Sequence, residues 1–291
     1  MESSPTAIDS MPDWSKVDVH PRCPLCGYDL FGLESPRCPE CGYPFTWAEL
    51  MDPKRREHPY LFEHHPEANF RSYWKTVLGA MRPRRFWSSL NPVQPSRPKR
   101  LILYWCLGAA LYLLAIMGQQ VASTFAWANM NMTLGWRPPG STRLSQTLMY
   151  AATPWYWLYI VEPWLMVLSW SWLTWLTLLI FRVSMRRAKI NAAHVLRCAL
   201  YSFDPVVWAC MAMTTLVTPI ISLLVSPSFI RQGAIVDIVL TIPAVGYMMY
   251  RLIVAYRRYL RFDHPVLTVL ASQAIVLLAV VNLYLALNVW M

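Results

Sequence analysis

Four cysteines within the first fifty residues have the types and spacing for metal chemistry. Cys23 and Cys26 form one CxxC pair and Cys38 and Cys41 another, and their surroundings repeat fifteen residues on, CPLCGY against CPECGY. A CxxC turn lets two thiolates grip one ion, and Gly27 and Gly42 give the backbone freedom to fold beneath the sulfurs. Four thiolates in two matched turns suit a closed tetrahedral site, with Zn2+ as the expected cofactor. The other chemistry-bearing residues form no pattern of comparable strength. His58, His64 and His65 lie together without an HExxH spacing and between Pro59 and Pro66, so they are expected to be solvated linker histidines. No nucleophile, base and orienter occur together and no glycine loop for phosphate is present, so no catalytic residue is assigned and the chain is expected not to be an enzyme. Cys106, Cys198 and Cys210 are expected to be small apolar packing residues.

Residues 22–45 resemble the zinc-ribbon family. Rubredoxin-type iron sites use similar turns, which makes a redox subunit the chemical alternative. Their turns are much further apart than the eleven residues between Cys26 and Cys38, and this favours the ribbon. So short a segment buries too little to fold without its metal, so the ion serves at least as a staple. Between His20 and Leu50 stand two basic groups, Arg22 and Arg37, and four acidic ones, Asp29, Glu34, Glu40 and Glu49. Nucleic acid needs a basic face, so the expected contact is a cytoplasmic protein or a neighbouring loop of the chain. Tyr28, Phe31, Tyr43, Phe45 and Trp47 are the candidate anchors, most of them expected to pack around the metal.

The elements that position this site follow from composition and periodicity. Residues 1–21 lack apolar periodicity and read as a disordered lead, without the apolar segment of a cleavable signal. The ribbon, 22–50, closes with Thr46 to Glu49, a capping box that opens a short helix. Residues 51–100 read as a linker. Within it Phe70, Tyr73, Trp74, Val77, Leu78 and Met81 fall on one helical stripe with Arg71, Lys75 and Arg82 beside it. Such a helix either lies among lipid headgroups or packs on the ribbon or the bundle.

From residue 101 to 291 the chain is dominated by apolar runs. Five reach bilayer length: Leu101 to Val121, Pro163 to Phe181, Pro205 to Val225, Ile235 to Tyr256 and Pro265 to Trp290. The 56% hydrophobic and 14% charged composition agrees with a membrane protein carrying a small soluble part. Fourteen of the 26 Lys and Arg precede the first run, and the successive joints hold two, five, one and four, with none after the fifth. Arg251 joins the last group on the premise that it snorkels to the interface. This alternation sets the N-terminus in the cytoplasm and the C-terminus outside after five crossings. Asn131-Met132-Thr133 is a glycosylation pattern in the outer loop. Glu162, Asp204 and Asp263 each precede a proline at a run's start, which places them at membrane edges and weakens a proton or ion path. The expected fold is all-α and polytopic, five transmembrane helices behind a small N-terminal four-cysteine ribbon.

Pro83 to Trp87 (PRRFW), the Tyr201 to Pro205 segment (YSFDP) and the five runs together resemble the Yip family of five-span membrane proteins, known for contact with Rab-type GTPases. The resemblance implies a non-enzymatic membrane adaptor or organiser, and its bacterial relatives imply a bacterial cytoplasmic membrane. The GTPase contact does not carry over, because the ribbon stands where the eukaryotic members have their N-terminal region. The expected partners are membrane lipid, a protein held by the ribbon and further copies of the chain. The alternative class is a small-molecule or lipid transporter with a regulatory ribbon.

Overall fold

The computed structural model describes residues 12–16, 20–52, 57–133, 142, 144–145, 167–179, 190–204, 208, 233–262 and 264–290. The described chain is helical, with no strand beyond two isolated antiparallel bridges, Arg22 to Asp29 and Arg37 to Pro44. Its helices are α1 (Trp47–Met51), α2 (Asn69–Ala80), α3 (Pro83–Ser89), α4 (Pro98–Thr133), α5 (Val167–Leu179), α6 (Ala192–Ser202), α7 (Gly233–Ala255) and α8 (Pro265–Trp290), with a π-helical turn, Tyr256–Leu260, after α7. Local signals start several of them. The Thr46 hydroxyl accepts from Glu49 N–H before α1, and the Asn191 side chain accepts from Ala193 N–H before α6. Pro83 and Pro265 occupy first helical positions, where a missing N–H costs nothing. The glycosylation pattern at Asn131 falls in the last turn of α4 rather than in a loop.

Two helices, against the five expected, are long and apolar enough to cross a membrane among the described residues: Pro98–Gly118 of α4 and Pro265–Leu283 of α8, with mean hydropathy 2.1 and 2.3. Only 33% and 22% of these windows are buried. Leu103, Leu107, Leu111 and Leu114 on α4 and Leu267, Leu270, Leu278 and Val281 on α8 face outward. A core helix of a soluble protein would hide these faces, whereas lipid leaves them at no disadvantage. Apart from Trp208, the third expected run lies outside the described residues, as do the ends of the second. α7 coincides with the fourth, whose side chains are described from Ile242 onward; there Met248, Leu252, Ala255 and Tyr256 are buried, and Arg251 is fully buried instead of snorkelling. An apolar count cannot separate a lipid-facing helix from one sunk in a protein core.

A cap made of the ribbon, residues 57–100, α6 and the end of α7 encloses one apolar cluster. It runs from Cys23, Leu30, Phe45 and Trp47 through Phe62, Trp87 and Tyr201 to Leu252, Tyr259 and Val269. Residues 57–100 are therefore core and not a linker: Leu61, Phe62 and Glu63 are each 0% exposed. Phe62, Tyr73, Tyr104 and Tyr201 meet ring to ring at centroid distances of 5.2 to 5.9 Å. The stripe on α2 divides. Tyr73 and Val77 pack inward with Ser72, Thr76 and Ala80, while Phe70, Trp74, Leu78 and Met81 stay outward. Of the lead, 12–16 and 20–21 are described, and Trp14 there lies against Phe31 and Trp47.

Candidate metal centre and the cap that holds it

The two CxxC turns are built alike, bond for bond. Gly27 N–H donates to Cys23 O at 2.8 Å and Gly42 N–H to Cys38 O at 2.9 Å. Cys23 N–H donates to Tyr28 O and Cys38 N–H to Tyr43 O; Leu30 N–H reaches Pro21 O as Phe45 N–H reaches Pro36 O. Each pair differs by the fifteen-residue offset of the sequence repeat. Gly27 and Gly42 have φ of 80° and 70°, a region where a side chain is strained.

These turns bring the four sulfurs of Cys23, Cys26, Cys38 and Cys41 within 4.8 Å of one another. Cys23 Sγ stands 3.6 Å from Cys41 Sγ, and Cys26 Sγ 3.6 Å from Cys38 Sγ. A tetrahedron with metal–sulfur bonds of about 2.3 Å has edges of about 3.8 Å, so the quartet fits a single tetrahedral ion. Burial pushes the Cys23 thiol up to about 12, so without a cation it stays protonated. A metal ion offsets that cost by taking the thiolates as ligands. The four residues singled out by spacing are thus the four brought together, and a metal-binding cluster is in place.

The ribbon is fastened to the helical part through its first turn. Asn191, the cap of α6, donates its N–H to Leu25 O at 2.8 Å, and His194 Nε2 donates to Pro24 O at 2.6 Å. Pro24 and Leu25 lie between Cys23 and Cys26. His194 Nδ1 accepts from the Tyr259 hydroxyl at 2.7 Å, and that hydroxyl accepts from Arg197 at 2.7 Å. Pro24 O can only accept, so the imidazole is the neutral Nε2–H form. Burial, with Arg197 nearby, lowers the His194 pKa to about 4 and keeps it so.

Arg197 continues the chain of bonds. Its Nε lies 2.8 Å from Glu63 Oε1, at an angle too bent for a good hydrogen bond, and its terminal nitrogens donate to Gln94 O and Pro95 O. Burial opposes its charge, but the Tyr259 hydroxyl and the Glu63 carboxylate outweigh that and raise its pKa. Glu63 also takes Arg97 N–H at 3.0 Å and the Tyr201 hydroxyl at 3.3 Å. One residue group further, Arg251 grips both oxygens of Asp204 at 2.7 Å each and the Tyr201 carbonyl at 2.6 Å. Both ion pairs are buried.

The three linker histidines are placed differently from expectation. His64 Nδ1 accepts from His58 N–H at 2.8 Å and its Nε2 donates to Pro95 O at 3.0 Å, while His65 Nε2 donates to His58 O at 2.7 Å. They are braces holding residues 58–65 against 95, not solvated side chains and not a second metal site. Burial lowers His58 to about 4 and His64 below its usual value. Of the five aromatic anchors, Tyr43, Phe45 and Trp47 are buried; Tyr28 and Phe31 are 39% and 40% exposed.

Sequence reasoning missed Glu63, His194, Arg197 and the Asp204–Arg251 pair. The available signal was a lone charge inside an apolar run, as in VLRCAL around Arg197 and MMYRLIV around Arg251. Comparison with family models, with curated proteins and with solved structures finds no match to this chain.

Proposed function

We propose that this protein is a non-enzymatic membrane adaptor of the Yip type: five crossings, cytoplasmic N-terminus, and a Zn2+-loaded ribbon that presents a protein-binding edge. The observation that carries this reading is the way the ribbon is mounted. Its Pro24 and Leu25 carbonyls are tied to α6, while Tyr28 and Phe31 just after that turn stay partly exposed, Phe31 between His20 and Trp14. Asp29, Glu34 and Glu40 of the ribbon are exposed acids, so its surface suits a protein with a basic, apolar patch. A rigid mount lowers the ordering cost of binding, which favours presentation over a freely swinging head. The alternating basic joints support the five-crossing topology. The bidentate closure of Asp204 by Arg251 supports a structural brace there rather than a transport site.

A photoreactive residue at Phe31 in the intact protein in cells tests the reading. One discrete hetero-adduct is expected, absent when the reactive group replaces buried Leu30 and lost on Cys23→Ser. No adduct from position 31, or an adduct unchanged by Cys23→Ser, overturns the ribbon as recruiter. Metal analysis of the purified chain separates the chemistries: colourless protein with one zinc is expected, and a red protein with thiolate–iron bands overturns the zinc assignment. Reporter fusions at residues 12 and 291 check the topology, with opposite faces expected.

A further inference from the structure

We infer that the seam between the second cysteine turn and the end of α7 is a binding site for a phosphate group, taken from an anionic phospholipid headgroup or from a small soluble phosphate ester. A cleft of about 310 Å³ opens there between Tyr43 to Thr46 of the ribbon, Trp87 and Ser88 at the end of α3 with Leu90 to Pro92 after it, and Arg258 in the π-helical turn with Arg261 just beyond. Arg258 is exposed and makes no hydrogen bond or ion pair among the described residues. Arg261 is exposed too, and its guanidinium stands 5.7 Å from the Tyr43 ring centroid. Trp87 lines the same cleft at 1% exposure, and its indole N–H has no partner. A buried unmatched donor costs on the order of 1–3 kcal/mol, which a ligand acceptor that reached it would offset. The Thr46 hydroxyl, which accepts from Glu49 N–H, keeps its own proton to donate, whereas the Ser88 proton is already given to Arg85 O. The one acid in the lining, Glu49, already has the Asn91 amide within 3.5 Å, and Asn91 in turn accepts from the Tyr43 hydroxyl.

Backbone geometry points the same way. Arg261 adopts φ 55°, ψ 42°, the left-handed region that disfavours any residue with a Cβ, and it does so at the end of a π-helical turn. Arginine at a position where glycine would be unstrained places two planar guanidinium forks, Arg258 and Arg261, on one cleft wall. Guanidinium forks match phosphate oxygens in pairs. The volume admits a headgroup and excludes a folded partner. Arg261 is four residues before Pro265, where the membrane-length helix α8 begins, so a lipid phosphate is the nearest supply.

Native mass spectrometry of the full chain in mild detergent tests this with phosphatidylglycerol, phosphatidylcholine and glycerol phosphate as probes. Wild type is expected to retain one phosphatidylglycerol roughly tenfold more tightly than R258Q/R261Q, two charge-assisted contacts being lost. Phosphatidylcholine retention should be equal in both. R261G is the second variant: it relieves the backbone, so it should fold at least as well and still lose retention. R85Q, an exposed arginine outside the cleft, should keep it. Displacement of the lipid by glycerol phosphate at matched concentration assigns the phosphate ester alone as sufficient; failure to displace assigns the intact lipid. Equal retention by wild type and R258Q/R261Q with no glycerol phosphate binding, or equal loss in R85Q, overturns the site.

Discussion

The cap and the two membrane-length helices of this chain are held by opposite means. In the cap, water drives aromatic and aliphatic side chains inward, and the charged groups that go with them are held in two buried ion pairs beside a histidine brace. Along α4 and α8 the apolar faces point outward, and a few polar ties join the helices instead: Trp105 to Ser171 at 2.9 Å, Trp170 to Gln273 at 2.7 Å, and Gln273 to Thr174 at 3.2 Å. Burying a leucine gains nothing over lipid, so hydrogen bonds and close packing must do the joining there. The lesson is that a charge removed from the cap should cost far more than a polar tie removed from the bilayer side.

Arg251→Met breaks that comparison open most sharply. It leaves the Asp204 carboxylate buried without its partner and should destabilise by about 3–5 kcal/mol. The double variant Asp204→Asn/Arg251→Met should recover much of this, read as thermal unfolding in detergent; no recovery would mean that packing, not charge, sets the cost. Acid gives the next largest effect. His58 and His194 are neutral in the fold with pKa near about 4, against an ordinary value near 6.5 when unfolded. Their contribution is complete above about pH 6.5 and falls as pH drops toward 4, because only the unfolded chain takes up protons in that window. The loss is on the order of 3 kcal/mol for each, flat below pH 4. A midpoint unchanged between pH 7 and 4.5 would contradict the buried neutral histidines. His194→Ala removes one tie to Pro24 and orphans Tyr259 partly, for about 1–3 kcal/mol, with the metal still bound. Loss of the metal in that variant would show the ion to depend on the mount. Smallest is Gln273→Leu on the bilayer side, at about 0.5–1.5 kcal/mol. A larger loss than that of Arg251→Met would reverse the comparison.

The sequence made some of this plain and hid the rest. Cys23, Cys26, Cys38 and Cys41 are close in the chain, and a local repeat that sets turn geometry can be read without knowing the fold. Thr46 and Pro265 are legible for the same reason, since caps act within one turn. Glu63 finds Arg197 across more than a hundred residues, and no pattern local to either announces the other. The histidines were misread because two prolines mark an irregular segment, and irregular segments are mostly solvated; here the segment is buried and His64 supplies the hydrogen bonds that a helix would have made. Arg251 was placed at the interface, but it is buried with Asp204 instead, because Leu252 and Ala255 beside it are equally at home in lipid and in a protein core.

Central to all of this is that the metal cluster and the helical cap form one body. Hydrogen exchange on the full chain in lipid nanodiscs, before and after a zinc chelator, tests it most directly. Chelation is expected to speed exchange in residues 20–52 and also at Leu61 to His64, Asn191 and His194, which share the ribbon's core and bonds. Faster exchange confined to 20–52, with the α6 amides and the 57–97 segment unchanged, would contradict the docked ribbon and return it to the status of a separate head.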